Sequence, residues 1–239
     1  MNIMLAYDLH VHSTFSGGES TLEQLVSTAK FLGYNGIGFV TYPLRKEEEN
    51  ILKAEIERIS KKENFKIFFG VEVTTSSELR KFVRRRKEID LLLVRGGSVR
   101  MNRLGVETPE VDILTHPSYE RKDCGINHII ARFARKNEVA IEINFREVLL
   151  SRGVKRAQVI KNHMEIVRIA KKYKAPILIS SGALSHWELR DPHVLISYGV
   201  KIGMTLKEAK EAVGKTPLKI IDRVMRKKKE IMPGVMVVK

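Results

Sequence analysis

Short apolar runs alternate along the chain with longer stretches in which apolar residues recur every three or four positions. The runs are MLAYDL, GIGFVTY, KIFFGVEV, LLLVRG, DILTHP, AIEINF, PILISSG and VKIGM, about eight in all. They are apolar throughout rather than alternating, as parallel strands covered on both faces should be. A polar or helical stretch feeds or follows each one. This regular alternation predicts an α/β fold, and a closed TIM-like β/α barrel in a single domain, residues 1–217, is the economical solution.

The helical stretches carry their own start and stop signals. Ser20 and Glu23 have capping-box spacing, followed by Leu22, Leu25, Val26, Ala29 and Leu32 on one side. Thr205 and Glu208 repeat the device. The longest helix is expected from near Lys155, with Val159, Ile160, Met164, Val167, Ala170 and Tyr173 on one side, until Lys174-Ala175-Pro176 ends it. Pro109 and Pro117 mark breaks around one strand. After residue 217 the pattern dissolves into Arg223, Arg226, Lys227, Lys228 and Lys229, which reads as a helix fraying into a basic tail, residues 218–239.

Charge changes the picture. With 43 Lys and Arg against 28 Asp and Glu, the formal charge is +15 and the pI is near 9.9. A neutral metabolic enzyme is therefore not the default, because a cationic surface gathers polyanions through counterion release before any specific contact forms. No run approaches the roughly 20 apolar residues of a membrane span, and the start lacks a basic segment leading into an apolar one. A soluble cytoplasmic protein with no membrane partner is expected. The single cysteine, Cys124, has no partner for an internal disulfide.

Candidate chemistry begins in DLHVHS, where Asp8, His10 and His12 at i, i+2 and i+4 would share one face of a strand. Glu72 closes the third run and His116 the fifth, at the strand ends where a barrel gathers its functional groups. Imidazoles and carboxylates from three strands suit zinc or manganese, and suit equally a metal-free set of caps bonded to neighbouring backbone. DLHVHSTFSGG resembles the opening motif of the polymerase and histidinol phosphatase (PHP) family, phosphoesterases that hold two or three metals in a distorted barrel. Asp8, His10, His12, Glu72 and His116 fall where that resemblance would place ligands. Two further ligand positions depart from it: Thr41-Tyr42-Pro43 replaces an Asp-His pair, and Gly182-Ala183-Leu184 replaces an Asp-x-His. A multinuclear site missing those groups cannot hold its metals or its attacking water.

A second resemblance covers the later half: RKDCGINHIIARF, NFREVLLS, and KYKAPILISSGALSHWELRDPHVLISYGVKIGM, with the SSGA run and Trp187, Leu189, Arg190 and Pro192 in W-x-L-R-x-P. These blocks resemble the ribonuclease P protein component 3 family, archaeal counterparts of the eukaryotic thirty-kilodalton subunit. Together the resemblances span roughly residues 4 to 215. They imply a degenerate PHP-like barrel that serves as an RNA-binding subunit of ribonuclease P and helps the catalytic RNA remove the 5′ leader from precursor tRNA. They imply no catalytic residue in the chain and no cofactor beyond the magnesium used by the RNA. A remnant metal site at His10, His12, Glu72 and His116 stays possible. The implied partners are the ribonuclease P RNA, precursor tRNA indirectly, and other protein subunits. The alternative reading is an active PHP-type phosphoesterase working with one metal.

Cations placed at strand ends and in the loops beyond them are the expected RNA contacts: Arg45, Lys46, Arg95, Arg121, Lys122, Arg146 and Arg190, together with Arg103. Arg103, Arg121, Arg146 and Arg190 also stand in blocks resembling the family. An arginine can grip a phosphate with two parallel hydrogen bonds or stack on an unpaired base. His163 falls within the apolar period of the long helix and reads as a hydrogen-bonded core histidine. Gly96-Gly97-Ser98 is a poor phosphate-cradle signal without the rest of a P-loop. Trp187 is left open between base stacking and packing beside Leu189.

Overall fold

In the computed structural model of the chain, which describes residues 5–232 and 235–236, seven of the eight apolar runs are strands. The elements follow in order as β1 (Tyr7–Val11), α1 (Leu22–Phe31), β2 (Gly36–Thr41), α2 (Lys46–Glu63), β3 (Lys66–Val73), α3 (Ser76–Arg84), β4 (Leu91–Arg95) and α4 (Val99–Glu107). Then come β5 (Ile113–Thr115), α5 (His128–Lys136), β6 (Ala140–Asn144), α6 (Phe145–Leu150), α7 (Gly153–Tyr173), β7 (Ile177–Ser180), α8 (Pro192–Lys201), α9 (Leu206–Lys210) and α10 (Thr216–Lys229). All seven strands are parallel and lie in sequential order, and a bridge between Val11 and Ala183 joins the last strand back to the first. The result is a single-domain, TIM-like barrel that is nearly closed, with its helices outside.

The eighth run is not a strand. Val200 and Lys201 end α8, and Ile202, Gly203 and Met204 form the turn beyond it. Ile202 and Met204 are apolar because they are buried in the outer core, not because they join the sheet. The gap between β7 and β1 is filled instead by a π-helical turn, Glu211–Lys215, which packs on both strands. Gly214 permits this approach, since a Cβ there would stand 2.4 Å from the Leu5 carbonyl oxygen.

Strand alternation divides the core in two. One set of side chains, Tyr7, Leu9, Val40, Phe68, Leu91, Leu93, Ile113, Ala140 and Leu178, fills the barrel lumen, and the opposite set packs under the helices. Gly38 makes room in the lumen, where a Cβ would meet Leu9 backbone at 2.8 Å and Leu91 at 2.9 Å. Helix α10 closes the end at which the strands begin. Its Ile220, Ile221 and Val224 join the lumen cluster, so the helix expected to fray after residue 217 runs on to Lys229 and plugs the lumen with its first turns. Arg223 locks it in place, donating to the Asn137 and Glu138 carbonyls at 3.0 and 2.8 Å and to Asp112 Oδ1 at 2.8 Å. Beyond it, Glu230–Met232 pairs antiparallel with Val235–Met236. The rest of the expected tail, 233–234 and 237–239, lies outside the described residues.

Two helix details differ from expectation by small rotations. The capping box of α1 sits one residue later, between Thr21 and Gln24, because Ser20 is taken up by hydrogen bonds with the ring and backbone of His186. Helix α7 starts at Gly153 and turns Asn162, His163, Ile166, Val167 and Ala170 inward, leaving Met164 half exposed. The Thr205–Glu208 box forms as expected. Among the described residues, no helix is long and apolar enough to cross a membrane.

Candidate functional site

Because every strand runs the same way, the residues at strand ends share one rim, and there the lumen turns polar. The side chains of Glu72 on β3, Thr115 on β5, Glu142 on β6 and Ser180 on β7 form its upper layer, all buried. Strand β1 reaches the same layer through a bulge: the step from Asp8 to Val11 faces only the two-residue step from Ile37 to Phe39 on β2. Tyr7 and Leu9 fill the lumen below the extra residue, and His10 and His12 face the lumen above it. Asp8 is thereby turned away from the histidines, contrary to the even spacing read in DLHVH. It accepts instead from the His10 and Ser181 backbone N–H groups at 3.3 and 3.1 Å, tying β1 to the end of β7. Burial pushes its carboxyl up to about 6.

The cluster is a continuous hydrogen-bonded chain. His10 Nδ1 donates to Glu142 Oε1 at 2.6 Å, and His10 Nε2 donates to His12 Nε2 at 3.0 Å. His12 Nδ1 donates to Ser16 Oγ at 3.1 Å, and Ser16 also accepts from the Tyr42 backbone. Burial alone would lower the His10 imidazole, but Glu142 first and then Glu72 hold it protonated, with a pKa up at about 9. Burial and the charge on His10 push His12 the other way, to about 3, so it accepts as the neutral partner. Glu142 and Glu72 are both held below the usual carboxylate range against their burial, Glu142 by His10 and Ser180 and Glu72 by His10, Thr115 and Arg95. Thr115 Oγ1 donates to Glu72 Oε1, and the Arg95 guanidinium lies 3.3 Å from Glu72 Oε2.

A second limb extends outward. His116, in the left-handed region at φ 49°, donates through Nδ1 to Glu147 Oε1 at 2.7 Å. Glu147 Oε2 lies 3.4 Å from His163 Nε2, and the Tyr198 hydroxyl donates to His163 Nδ1 at 2.7 Å. Burial would raise the Glu147 carboxyl, and the two histidines outweigh it and bring it down to about 2. His163 is thus a hydrogen-bonded core histidine. Sequence reasoning missed Glu142 and Glu147. A lone carboxylate inside the apolar AIEIN run was the available signal for Glu142, because an unpaired buried charge does not persist. Nothing local marks Glu147, whose partners come from α7 and the β5 end.

Two overlapping sets could hold a cation: His10, His12 and Glu72, or His10, His116 and Glu142. The Nε2 separation of 3.0 Å matches two ligands each about 2.0–2.1 Å from one ion. Glu142 behind His10 is the kind of outer carboxylate that orients metal-binding imidazoles. One ion therefore fits the first set. Two or three do not: Thr41 Oγ1 is buried without a partner, the Tyr42 ring stacks on His12 at 5.6 Å, and Ala183 is spent on closing the barrel to Val11. Arg95 also brings a positive charge onto Glu72. With no ion, protonated His10 donates to both Glu142 and His12.

The rim cations fall where sequence placed them, but most are already engaged. Arg45 pairs with Glu48 at 2.9 Å, Lys46 with Glu88 at 2.7 Å, Arg121 with Asp123 at 2.6 Å, and Arg146 with Glu188 at 2.8 Å. Arg190 folds back onto the Trp187 and Leu189 carbonyls, and Arg95 lies over the Tyr119 ring and against Glu72. Arg103 is on α4, paired with Glu107 at 2.7 Å. The Lys122 side chain is exposed. Gly96 and Gly97 offer no free cradle, since their N–H groups donate to the Thr115 carbonyl and to Asn102. Trp187 is 78% exposed while Leu189 is buried, so it does not pack beside that leucine.

Fold and site together define a class: a parallel β/α barrel with a PHP-like mouth, in which a buried histidine–carboxylate network stands where a multinuclear metal centre would need more ligands. Residues 5–229 match the family model described as RNase P subunit p30, and the chain belongs to that family. It is 36% identical over 232 residues to ribonuclease P protein component 3 of Methanococcoides burtonii, covering 96% of this chain and 92% of that one. To the Methanothermobacter thermautotrophicus protein of the same description it is 32% identical, covering 92% and 90%. It also resembles a chain in the cryo-EM structure of archaeal ribonuclease P with mature tRNA, at 29% identity and a TM-score of 0.79, covering 96% and 97%.

Proposed function

We propose that this chain is a protein subunit of ribonuclease P that binds the RNA and companion protein subunits, and so assists removal of the 5′ leader from precursor tRNA in the cytoplasm. The observation that carries this is likeness over almost the whole chain to a chain of the archaeal particle. The barrel mouth supports a non-catalytic role, because its histidines and carboxylates are hydrogen-bonded or ion-paired to one another and to Arg95. The magnesium of the reaction belongs to the RNA, and no resident metal is required.

RNA backbone meets the rim first at Arg45, Lys46 and Lys122, the exposed side chains among the cations at the strand ends. Solvent screens an exposed pair such as Arg45–Glu48, so a phosphate exchanges for the carboxylate at little cost. Arg121, Arg146 and Arg190 lie behind them as shaped contacts.

The test is cleavage of precursor tRNA by the ribonuclease P RNA with its other subunits, with this chain present, absent, or supplied alone in Mg²⁺ or Mn²⁺. Cleavage should rise on adding the chain, and the chain alone should cut nothing. Unchanged cleavage, together with metal-dependent phosphoester hydrolysis that disappears in His10→Ala, would establish the phosphoesterase instead.

A further inference from the structure

The outer ring of helices has a gap. Helices α4 and α5 pack directly, as do α5 and α7, whereas α3 and α4 scarcely touch. Between them runs a groove of about 550 Å³ whose floor is apolar, formed by Leu79, Val83 and Leu104. Its walls carry Arg80 and Arg84 from α3 and Arg100 and Arg103 from α4. All four are exposed. Arg103 is neutralised by Glu107, but Arg80, Arg84 and Arg100 have no ion pair or hydrogen bond among the described residues. This distinguishes them from the rim cations, nearly all of which are engaged.

We propose that this groove is a docking surface for an acidic amphipathic helix of a companion protein subunit, an inference that rests on the reading of the chain as one member of a multiprotein particle. Two walls of nine-residue helices give a trough about 13 Å long, enough for two turns or slightly more of a helix. Leucines on such a helix would cover the floor at i and i+3 or i+4, and carboxylates on its flanks would meet the three unpaired guanidinium groups. An RNA strand fits less well. It would leave the apolar floor uncovered, and none of the lining residues is an aromatic on which a base could stack. A convergence of three unpartnered arginines on one apolar trough is also not what a merely solvated helix face requires.

The experiment measures binding of the full chain, without RNA, to each companion protein subunit of the same ribonuclease P, and separately its binding to the ribonuclease P RNA across a salt series. The variants are the triple Arg80→Gln, Arg84→Gln, Arg100→Gln and the single Leu104→Gln, with folding checked by circular dichroism. One subunit should bind the wild-type chain, at least 100-fold more weakly the triple variant and at least tenfold more weakly Leu104→Gln, while the RNA salt dependence stays the same. A log–log slope shallower by about 2 in the triple variant with subunit binding intact would make the groove a phosphate surface and overturn the proposal. Unchanged binding to both partners, or no subunit binding by the wild-type chain, would also overturn it. Failure of the functional reading shows separately, as a chain without effect on precursor-tRNA cleavage.

Discussion

Replacing Glu142 with glutamine tests whether a protonated imidazole is the internal cation of the barrel mouth. His10 is fully buried and rises from an ordinary 6.5 to about 9, chiefly because Glu142 accepts from it at 2.6 Å. The stability linked to that rise is complete below pH 6.5, where both folded and unfolded chains are protonated at this residue. It is lost as pH climbs through about 9, because the unfolded chain has already released the proton that the folded chain still holds. At about 1.4 kcal/mol per pH unit, the span from 6.5 to about 9 is worth about 3 kcal/mol. His12 acts with the opposite sign: its depressed value of about 3 makes the folded chain resist a proton that the unfolded chain accepts, so stability falls as pH drops below 6.5. Asp8, raised to about 6, works against that limb between its ordinary 3.8 and about 6, so the net loss of stability falls on the alkaline side of pH 6.5.

Urea unfolding in EDTA from pH 6 to pH 10 reads the alkaline limb. Glu142→Gln should lower the unfolding free energy by about 3 kcal/mol at pH 6.5 and flatten the alkaline limb, since an amide cannot hold the imidazolium against burial. An alkaline limb that survives in Glu142→Gln with its full slope would show that His10 is not the titrating group, and the account of the network would fail with it.

Other outcomes follow from the same structure. Arg223→Met should cost roughly 3–5 kcal/mol in urea unfolding, because it leaves buried Asp112 with Arg86 as its remaining side-chain partner and frees three carbonyls; a loss below about 1 kcal/mol would mean that α10 is held by its apolar residues alone. Gly214→Ala should cost about 1–3 kcal/mol, read as a lower melting temperature, since the new methyl must displace the π-helical turn from Leu5. In filter binding across a potassium chloride series, Arg45→Ala and Lys46→Ala should each reduce the RNA salt slope by about 0.7. Arg95→Ala should leave that slope unchanged and lower stability instead, because its guanidinium serves Glu72.

The barrel was legible because parallel strands buried on both faces leave continuous apolar runs, and seven of them lie where those runs lie. VKIGM misled because Ile202 and Met204 are buried by helix packing, and composition cannot separate the two kinds of burial. The role of α10 was hidden by its many cations. Three apolar residues suffice to plug the lumen when Arg223 finds its carboxylate and carbonyls in segments more than eighty residues away. In the site, His10, His12, Glu72 and His116 could be named from strand ends, but Asp8 could not be excluded without the bulge, which is a property of pairing between two strands. Whether a rim arginine is free depends on the acidic residue that packs beside it, which spacing along the chain does not reveal when, as for Arg146 and Glu188, forty-two positions intervene.

A parallel barrel brings strand-end side chains together whatever their identity, so carboxylates at positions 72 and 142 must meet a compensating charge or be lost. Divalent ions are one source of that charge. Here His10 supplies it to Glu142 and Arg95 to Glu72, and Tyr42 covers His12, so the electrostatics of the interior hold the carboxylates in place. The histidines and carboxylates should accordingly respond to substitution as core residues do, through stability and its pH dependence, while the exterior arginines respond through salt and partner affinity.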